Sequence, residues 1–377
     1  MRCWIEVSRS RLAANYTAVK ETVGPGVEVC PVVKADAYGH GAAEVARVLA
    51  QAGARWFAVS SFEEGVALRE AALTGPRILV MADSLAATGN KAETAITAHR
   101  LTPVIHSLED LAALERLAAG QSRILDFHLK IDSGMGRLGT RAEPAEIASA
   151  LTAAPHARLE GVMTHFASAA DYQSGQTERQ LARFAAVLAA LPVKPLLVHT
   201  SATVPVAYAR TDAWRAMVRP GHAIYGYVSP IVKGAESAPA RQLRVEPALA
   251  WKTRLLAVKE VPAGEPVGYG ALYTAATPMR IGIIAAGYAD GIPHRLGNKG
   301  KVIVQGQLAP MVGAVSMDVT TIDLTEVPAA RPGDVVTLLG EDGGARIDAQ
   351  QIARLAGTIS YSVLCGISAR VAHVYVD

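Results

Sequence analysis

Length, composition and charge describe a globular chain with more than one domain and exclude several classes of protein. The 377 residues exceed the size that one hydrophobic core usually serves, and a content of 50% hydrophobic and 19% charged residues excludes general disorder. The net charge of +3 is dispersed along the chain, which argues against a nucleic-acid-binding arm. No run approaches the ~18 apolar residues of a membrane span. Three scattered cysteines (Cys3, Cys30 and Cys365) and an N-terminus without an apolar signal segment predict a cytoplasmic protein.

Short apolar runs alternate with helical patterns from Val27 to Gly221. The apolar runs lie at 27–33, 56–60, 77–81, 101–105, 127–131, 159–163, 195–199 and 215–219. Ala-rich segments with apolar residues at i, i+3 and i+4 lie at 42–53, 62–73, 108–120 and 177–191. Continuous apolar strands that alternate with helices are typical of parallel strands covered by helices. Eight such strands predict a (β/α)8 TIM-like barrel, with a doubly wound open sheet as the alternative.

Beyond Ala240 the pattern changes to strands that are separated at short intervals by Gly, Pro and Asp. Strand patterns lie at 248–261, 279–288, 301–324 and 334–340, and a last helical pattern lies at 349–357. These features predict a C-terminal, mostly antiparallel β domain. We therefore place a barrel domain at 1–240 and the β domain at 241–377, and the first ten or so residues could join the β domain.

Candidate catalytic residues follow the predicted strands, because the carboxyl ends of barrel strands carry catalysis. These residues are Lys34, Lys130, Arg137, His165, His199 and Arg219. Lys34 opens the segment KADAYGHG (34–41), in which two glycines allow a tight turn into a helix whose N-terminus could meet an anion. An isolated lysine is usually a surface residue. Beside an anion site, Lys34 becomes a candidate Schiff-base lysine.

The segment LKIDSGMGRLG (129–139) contains a formal GxGxxG pattern. Dinucleotide binding requires the glycine turn to lead directly into a helix. Here Arg137 interrupts the turn, the helical pattern begins only near Pro144, and the strand is the fifth of the series. We therefore favour a glycine-rich turn that exposes Arg137 over a nicotinamide site.

Other polar residues are ambiguous when each is taken alone. His165 and His199 lack a third ligand at metal spacing, so we propose no metal site. In the second domain, VGYGALY (267–273) and AAGYADG (285–291) place tyrosines among glycines, and VSMDV (315–319) places an acid within a predicted apolar strand. Each of these segments is also compatible with ordinary β structure.

Taken together, these segments resemble the alanine racemases. VVKADAYGHG, LKIDSGMGRLG, THF, VHTSAT, VRPGHAIYG, VGYG, GYADG, VSMD and ISYSVLC follow the order and spacing of that family, and the resemblance covers nearly the whole chain. It implies a pyridoxal-phosphate-dependent barrel enzyme that interconverts L-alanine and D-alanine through a cofactor aldimine by a two-base mechanism. It also implies a head-to-tail homodimer whose two active sites each use both chains.

The resemblance implies a role for each matching residue. Lys34 would form the internal aldimine and act on the D face, and Tyr269 of the partner subunit would act on the L face. Arg219 would face the pyridine nitrogen, and His165 would contact the cofactor. The residues that would hold the phosphate are Tyr38, Thr203, Gly221, His222 (through its main chain) and Tyr361.

Substrate residues follow from the same resemblance. Arg137 and the main chain of Met317 of the partner subunit would bind the substrate carboxylate, and Tyr288 of the partner subunit would line the entrance. Lys130 matches a lysine that is carbamylated in many members and that orients Arg137. Bulky tyrosines would leave little room beyond a methyl group, which favours alanine, although serine or a broader set of small amino acids is an alternative.

Two positions depart from the family pattern, and two other functions conflict with the sequence. Thr203 stands where the family has serine and keeps a hydroxyl, and Ala314 stands where an arginine is usual, which affects local structure or the dimer contact.

A barrel decarboxylase would need an acid where Arg219 stands, and a non-enzymatic pyridoxal-phosphate carrier would lack the second domain. D-alanine supply for peptidoglycan and D-alanine catabolism are both compatible with the sequence.

Overall fold

The computed structural model describes every residue from Met1 to Asp377, and the chain divides into two units. The barrel unit comprises 12–37 and 42–246, and the β unit comprises 1–11, 38–41 and 247–377. Strand β1 (Cys3–Ser8) opens the β unit, and helix α1 (Arg9–Val23) leads into the barrel unit. None of the helices combines the length and the apolar character needed to cross a bilayer.

Eight parallel strands form a closed ring in the barrel unit. Six of them, β3 to β8, are one parallel sheet, and β2 pairs in parallel with β9. A bridge between Val32 and Ala58 joins β2 to β3, and the Ala216 N–H donates to the carbonyl of Val198 between β8 and β9, which closes the ring. The TIM-like barrel is thus confirmed, and the open-sheet alternative is excluded. The strands are β2 (Glu28–Val29), β3 (Trp56–Val59), β4 (Arg77–Val80), β5 (Thr102–Ile105), β6 (Leu125–Lys130), β7 (Ala157–Met163), β8 (Leu197–His199) and β9 (Met217–Val218).

Four helices of the barrel unit, at 42–51, 62–70, 108–120 and 176–190, lie where the sequence repeats apolar residues at helical spacing. In α7, Leu111, Leu114 and Leu117 are buried at a spacing of three residues, and Ser107 caps the helix by accepting the N–H of Asp110. The helices are α2 (Lys34–Gly39), which is a left-handed turn, α3 (Ala42–Gln51), α4 (Phe62–Glu70), α5 (Leu85–Thr88), α6 (Asn90–Thr97), α7 (Leu108–Gly120), α8 (Pro144–Thr152), α9 (Gln176–Ala190) and α10 (Thr203–Ala207). The glycine-rich loop after β6 leads to a helix only at Pro144, as the sequence predicts.

The β unit is built on the long strand β10, which pairs antiparallel with β1, β13 and β17. All named strand pairs in this unit are antiparallel except that of β1 with β19. Two helices, α11 (Ala349–Ala356) and α12 (Ser360–Cys365), precede the last strand. The strands are β10 (Leu249–Val261), β11 (Pro266–Val267), β12 (Tyr273–Thr274), β13 (Met279–Ile284), β14 (Lys301–Val304), β15 (Gln307–Pro310), β16 (Thr320–Asp323), β17 (Val335–Asp342), β18 (Ala345–Ile347) and β19 (Ala372–Val376).

One predicted strand region is wrong. The pattern at 301–324 indicated strands throughout and placed Asp318 inside one, but residues 312–319 are an irregular loop before β16. Gly313 has φ +75°, and a Cβ at this position would lie 2.7 Å from the carbonyl oxygen of Val267. The carbonyls of Ser316 and Met317 accept the N–H groups of Tyr288 and Ala289 instead of pairing in a ladder. The buried Val312 belongs to an apolar cluster formed with residues of β10, β11 and β13, so the apolar content of this segment does not require a strand here.

Candidate active site

Lys34 begins a backbone turn of unusual handedness at the carboxyl end of the first barrel strand. The next five residues all have positive φ: Ala35 +51°, Asp36 +50°, Ala37 +54°, Tyr38 +55° and Gly39 +80°. A left-handed turn costs about 1–2 kcal/mol for each residue that carries a Cβ. Strain of this kind persists only where the surroundings enforce it, and it concentrates at functional sites.

Two carboxylates hold this turn through backbone N–H groups. Glu64 of α4 accepts the N–H of Ala35 at 2.7 Å and the N–H of Ser60 at 2.6 Å. Asp36 accepts the N–H of Ala42 at 2.6 Å, which joins the turn to the start of α3. Both acids are therefore engaged in fixing the backbone around Lys34. Neither Glu64 nor Asp36 was singled out from the sequence.

Cationic groups surround the barrel end where Lys34 lies. Burial, together with the positive charges of Arg137, Arg219 and Lys34, lowers the pKa of Lys130 to about 8. Burial also lowers the pKa of His165 to about 3, with the same cations adding to the effect, so His165 is neutral near pH 7. Lys34, Lys130, Arg137 and Arg219 thus form one electropositive region. An anionic ligand would relieve this repulsion.

Asp132 is the acid closest in sequence to Lys130, and it organises the loop that exposes Arg137. Its Oδ1 accepts the N–H groups of Gly134, Met135 and Gly136, and its Oδ2 accepts Nε of Arg141. Burial opposes ionisation, but these donors together lower the pKa of Asp132 below its ordinary value. The Asp132 carboxylate therefore makes its hydrogen bonds within the loop and stabilises it.

Arg219 is 2% exposed, and its guanidinium is fixed by three acceptors, of which the carbonyl of Thr200 is the most distant at 3.4 Å. Nη1 lies 2.6 Å from Nδ1 of His199, and Nη2 donates to the carbonyl of Thr164 at 2.8 Å. Burial lowers the pKa of Arg219 to about 10, so the group remains protonated near neutral pH. Burial and the charge of Arg219 lower the pKa of His199 well below its ordinary value, which keeps its Nδ1 available as an acceptor.

The contact between Arg219 and His199 continues as a chain of hydrogen bonds through the barrel interior. Nε2 of His199 lies 2.8 Å from Nδ1 of His128, and Nε2 of His128 lies 3.3 Å from Oε2 of Glu160. Arg77 donates to both oxygens of Glu160, at 2.9 Å and 2.8 Å. Sequence reasoning missed His128, Glu160 and Arg77. The signal that could have found them is that each is a polar residue inside an apolar strand pattern.

The remaining barrel-unit candidates lie close together after β8 and β9. Thr203 opens α10, and its Oγ1 accepts the N–H of Ala223 at 3.1 Å, which leaves the hydroxyl proton free to be donated. Gly221 and His222 are buried in the turn that follows Arg219. Hydroxyl and main-chain N–H donors of this kind suit a phosphate group.

Within the β unit, Tyr38 and Tyr361 lie side by side with ring centroids 5.9 Å apart. Burial raises the pKa of Tyr38 above its ordinary value, and the neighbouring Tyr361 adds to the shift. Tyr38 therefore keeps its phenolic proton near neutral pH. Gly39 follows directly, and a Cβ there would lie 2.6 Å from the carbonyl oxygen of Leu364, so only glycine fits.

The other candidates of the β unit lie on exposed loops. Tyr269 is 76% exposed, Met317 is 53% exposed and Tyr288 is 44% exposed. The Tyr288 and Met317 segments are tied by backbone hydrogen bonds, because the N–H of Ala289 donates to the carbonyl of Met317 at 3.0 Å. Large exposed side chains in one unit are typical of a surface that is covered by a partner.

These features define a class of enzyme. A half-buried lysine at the carboxyl end of a barrel strand and amid cations suits covalent binding of an anionic aldehyde, and the Thr203 hydroxyl of the same unit is a donor for the anion. The fixed guanidinium of Arg219 supplies a donor for an aromatic ring nitrogen. The donor set therefore fits pyridoxal phosphate, and the class is the pyridoxal-phosphate barrel enzymes.

Comparison with known proteins places the chain within this class. Residues 7–230 match the family model "Alanine racemase, N-terminal domain" and residues 248–375 match "Alanine racemase, C-terminal domain". The chain is 38% identical to an alanine racemase of Halothermothrix orenii over 99% of this chain and 96% of the relative. It therefore belongs to the alanine racemase family.

Solved structures agree with this assignment. The alanine racemase of Streptomyces lavendulae superposes with a TM-score of 0.91 at 31% identity and covers 100% of this chain and 97% of its own. The alanine racemase of Bartonella henselae, whose structure has covalently bound pyridoxal phosphate, superposes with a TM-score of 0.87 at 28% identity and covers 100% of both chains. The family is therefore one of pyridoxal-phosphate-dependent isomerases.

Proposed function

We propose that this protein is an alanine racemase that interconverts L-alanine and D-alanine. The observation that carries the proposal is the strained turn at Lys34, placed at the barrel end among Lys130, Arg137 and Arg219. Racemisation breaks and remakes one Cα–H bond, and bound pyridoxal phosphate supplies the electron sink for this step. The protein must hold the cofactor and place a base on each face of the substrate.

Lys34 and Tyr269 of a second copy are the proposed bases. A single base would tend to return the proton to the face it came from, so inversion needs a group on either side. Lys34 would hold the cofactor covalently and exchange the proton of D-alanine. Tyr269 of the partner subunit would exchange the proton of L-alanine. The exposure of Tyr269 supports the assignment, since its ring is available to a neighbouring chain.

The other binding roles are proposed on the donors that each residue offers. Tyr38, Thr203, Gly221, His222 (main chain) and Tyr361 would bind the phosphate. His165 would contact the cofactor as a neutral imidazole, which its low pKa supports.

Arg137 and the main chain of the partner's Met317 would bind the substrate carboxylate, and Tyr288 of the partner subunit would line the entrance. Lys130, in a carbamylated form, would orient Arg137. Its pKa of about 8 supports this proposal, because a larger fraction of its amine is neutral and able to react with carbon dioxide near pH 7.

Arg219 is proposed to direct the chemistry toward racemisation. Its guanidinium would donate to the ring nitrogen of the cofactor and keep a proton off it, because a guanidinium has no acceptor. Negative charge would then be held on the ring only weakly and briefly. Proton return at Cα would be favoured over the side reactions that a long-lived carbanion allows.

Arg219→Glu is expected to lower the racemisation rate by on the order of 10²-fold and to increase the pyruvate formed from alanine, because a carboxylic group can share a proton with the ring nitrogen. The measurement is the ratio of inverted alanine to pyruvate, with Arg219→Lys as the matched variant that keeps a donor. An unchanged ratio in Arg219→Glu would contradict the proposed contact.

We further propose a homodimer in which the barrel domain at 1–240 of one chain meets the β domain at 241–377 of the other. The exposed side chains of Tyr269, Tyr288 and Met317 support it, because they present apolar and phenolic groups at the surface of the β unit. Each active site would then use both chains. A cytoplasmic location is proposed as well, and the small number of cysteines, scattered at positions 3, 30 and 365, supports it.

Mixing Lys34→Ala chains with Tyr269→Phe chains is expected to restore activity that neither variant has alone. After random exchange about half of the dimers are mixed, and each mixed dimer has one intact and one doubly damaged site, so about one quarter of the wild-type rate should return. Subunit exchange is verified by native mass spectrometry of chains of two lengths. Absence of recovery after verified exchange would place both bases in one chain.

The proposed substrate is tested with a panel of amino acids. Purified protein loaded with pyridoxal phosphate is incubated with the L-enantiomers of alanine, serine, methionine and lysine, and inversion is followed by chiral chromatography. One additional group in a tight site costs about 10- to 200-fold, so alanine should be preferred by that margin. Equal rates with methionine or lysine would overturn the specificity and favour a broad racemase. D-alanine formed in this way would supply peptidoglycan, and the reverse direction would degrade it.

A further inference from the structure

The turn that presents Tyr269 is weakly supported by its own strands. Strands β11 and β12 form an isolated two-stranded ribbon with two residue pairs, Pro266 with Thr274 and Val267 with Tyr273. Two-stranded ribbons of this size are marginally stable in water. The tip, residues 268–272, contains two glycines and has positive φ at three positions. Its conformation therefore needs anchors outside the ribbon.

The base of the ribbon is held by apolar packing. Val267 and Ala275 are buried in a cluster with Val261, Met279, Ile281 and Val312. This cluster reaches the start of the tip but contains no residue of 268–272. Apolar packing therefore fixes the base of the ribbon, and the tip must be held by polar contacts.

Asn298 supplies such a contact. Its Nδ2 donates to the carbonyl of Leu272 at 2.8 Å, and its Oδ1 accepts the N–H of Gly313 at 2.6 Å. One side-chain amide thus joins the end of the Tyr269 tip to the loop that carries Met317. Asn298 has φ +59°, a conformation that asparagine tolerates better than most residues. Both hydrogen bonds use the amide in a single orientation.

We propose that Asn298 is a positioning residue that holds Tyr269 in register with the Met317 loop. The inference rests on the proposed function, in which Tyr269 exchanges the L-alanine proton. The side-chain hydrogen bonds of Asn298 go to the backbone at Leu272 and Gly313, so it would act on Tyr269 through the backbone. Loss of its amide would increase the mobility of the Tyr269 tip and leave the Lys34 turn unchanged.

Asn298→Gly is the main test, because glycine accepts the positive φ and removes both hydrogen bonds. Asn298→Asp keeps the acceptor for Gly313 and loses the donor to Leu272. Gln305→Gly is the matched control. Gln305 also has positive φ (+51°) and donates from its amide to a carbonyl of the β unit, that of Ala329. It has no contact with the Tyr269 tip among its hydrogen bonds.

Two measurements are made on each variant. The first is backbone amide exchange of 267–273 in the cofactor-free protein, followed by mass spectrometry. The second is exchange of the Cα proton of L-alanine and of D-alanine with deuterated water. Asn298→Gly should accelerate amide exchange in 267–273 and slow L-alanine exchange by about 2- to 10-fold, the effect of one or two exposed hydrogen bonds, with D-alanine exchange unchanged. Asn298→Asp should lie between Asn298→Gly and the wild type, and Gln305→Gly should match the wild type.

Equal slowing for both enantiomers, or unchanged amide exchange in 267–273, would overturn the positioning role of Asn298. The wild type tests the proposed function separately. A wild-type protein that exchanges the Cα proton of neither enantiomer would overturn the racemase proposal, and this inference with it. The inference alone would be overturned if the wild type exchanges the Cα proton of both enantiomers and Asn298→Gly keeps the wild-type ratio of the L-alanine rate to the D-alanine rate.

Discussion

Lys34→Ala is expected to abolish racemisation in both directions, by more than about 10⁴-fold, and to abolish covalent attachment of pyridoxal phosphate. Lys34 is the amine that the strained turn presents at the barrel end, and the carboxylates of Glu64 and Asp36 hold the backbone around it. The variant should therefore keep its fold. Attachment is measured by borohydride reduction followed by the mass of the Lys34 peptide.

Lys194→Ala is the control for the Lys34 experiment, because Lys194 is an exposed lysine on a loop. It should keep the wild-type rate and the same reducible adduct. In Lys34→Ala, a borohydride-reduced cofactor adduct could instead be found on another lysine, such as Lys130. That result would show that a different amine holds the cofactor.

Tyr269→Ala is expected to slow exchange of the L-alanine proton by about 10²–10⁴-fold and to leave D-alanine exchange largely intact. The proposed base for L-alanine is the phenol of Tyr269, whereas Lys34 would still exchange the proton on the other face. Net racemisation requires both faces and should fall in both directions. Exchange is followed by proton magnetic resonance in deuterated water.

Tyr269→Phe distinguishes chemistry from shape in the same experiment. It keeps the ring and removes only the hydroxyl, so it should reproduce the asymmetry of Tyr269→Ala. If Tyr269→Phe retains L-alanine exchange, the tyrosine is a wall of the pocket and not a base. If both enantiomers lose exchange equally in Tyr269→Ala, the assignment of faces is wrong.

The barrel could be predicted because its signal is local. Each strand of the barrel unit is a short continuous apolar run, and the helices between the runs repeat apolar residues at helical spacing, as in α7 and α9. The loop at 312–319 could not be predicted in this way. Val312 is buried among residues of β10, β11 and β13, and Gly313 is set by its close approach to Val267, so both depend on contacts with residues distant in sequence.

The candidate site residues show a similar division. Lys34 and Arg219 could be singled out as candidates because charged side chains directly after buried strands are conspicuous in a sequence. Glu64, His128 and Glu160 could not, because their importance comes from partners that are 29, 71 and 32 residues away: Ala35, His199 and His128. The left-handed turn at 35–39 was also not foreseen, because four of its five residues carry a Cβ and would ordinarily avoid positive φ.

The central claim is that two different bases act on opposite faces of alanine. The most direct measurement incubates wild-type protein and pyridoxal phosphate in deuterated water with L-alanine and, separately, with D-alanine. We predict that both reactions approach equal amounts of the two enantiomers, that the inverted product carries deuterium at Cα from its first appearance, and that alanine is conserved. Inverted product that keeps its original hydrogen would contradict the two-base account, and conversion of alanine to pyruvate or ethylamine in place of its enantiomer would contradict the racemase assignment.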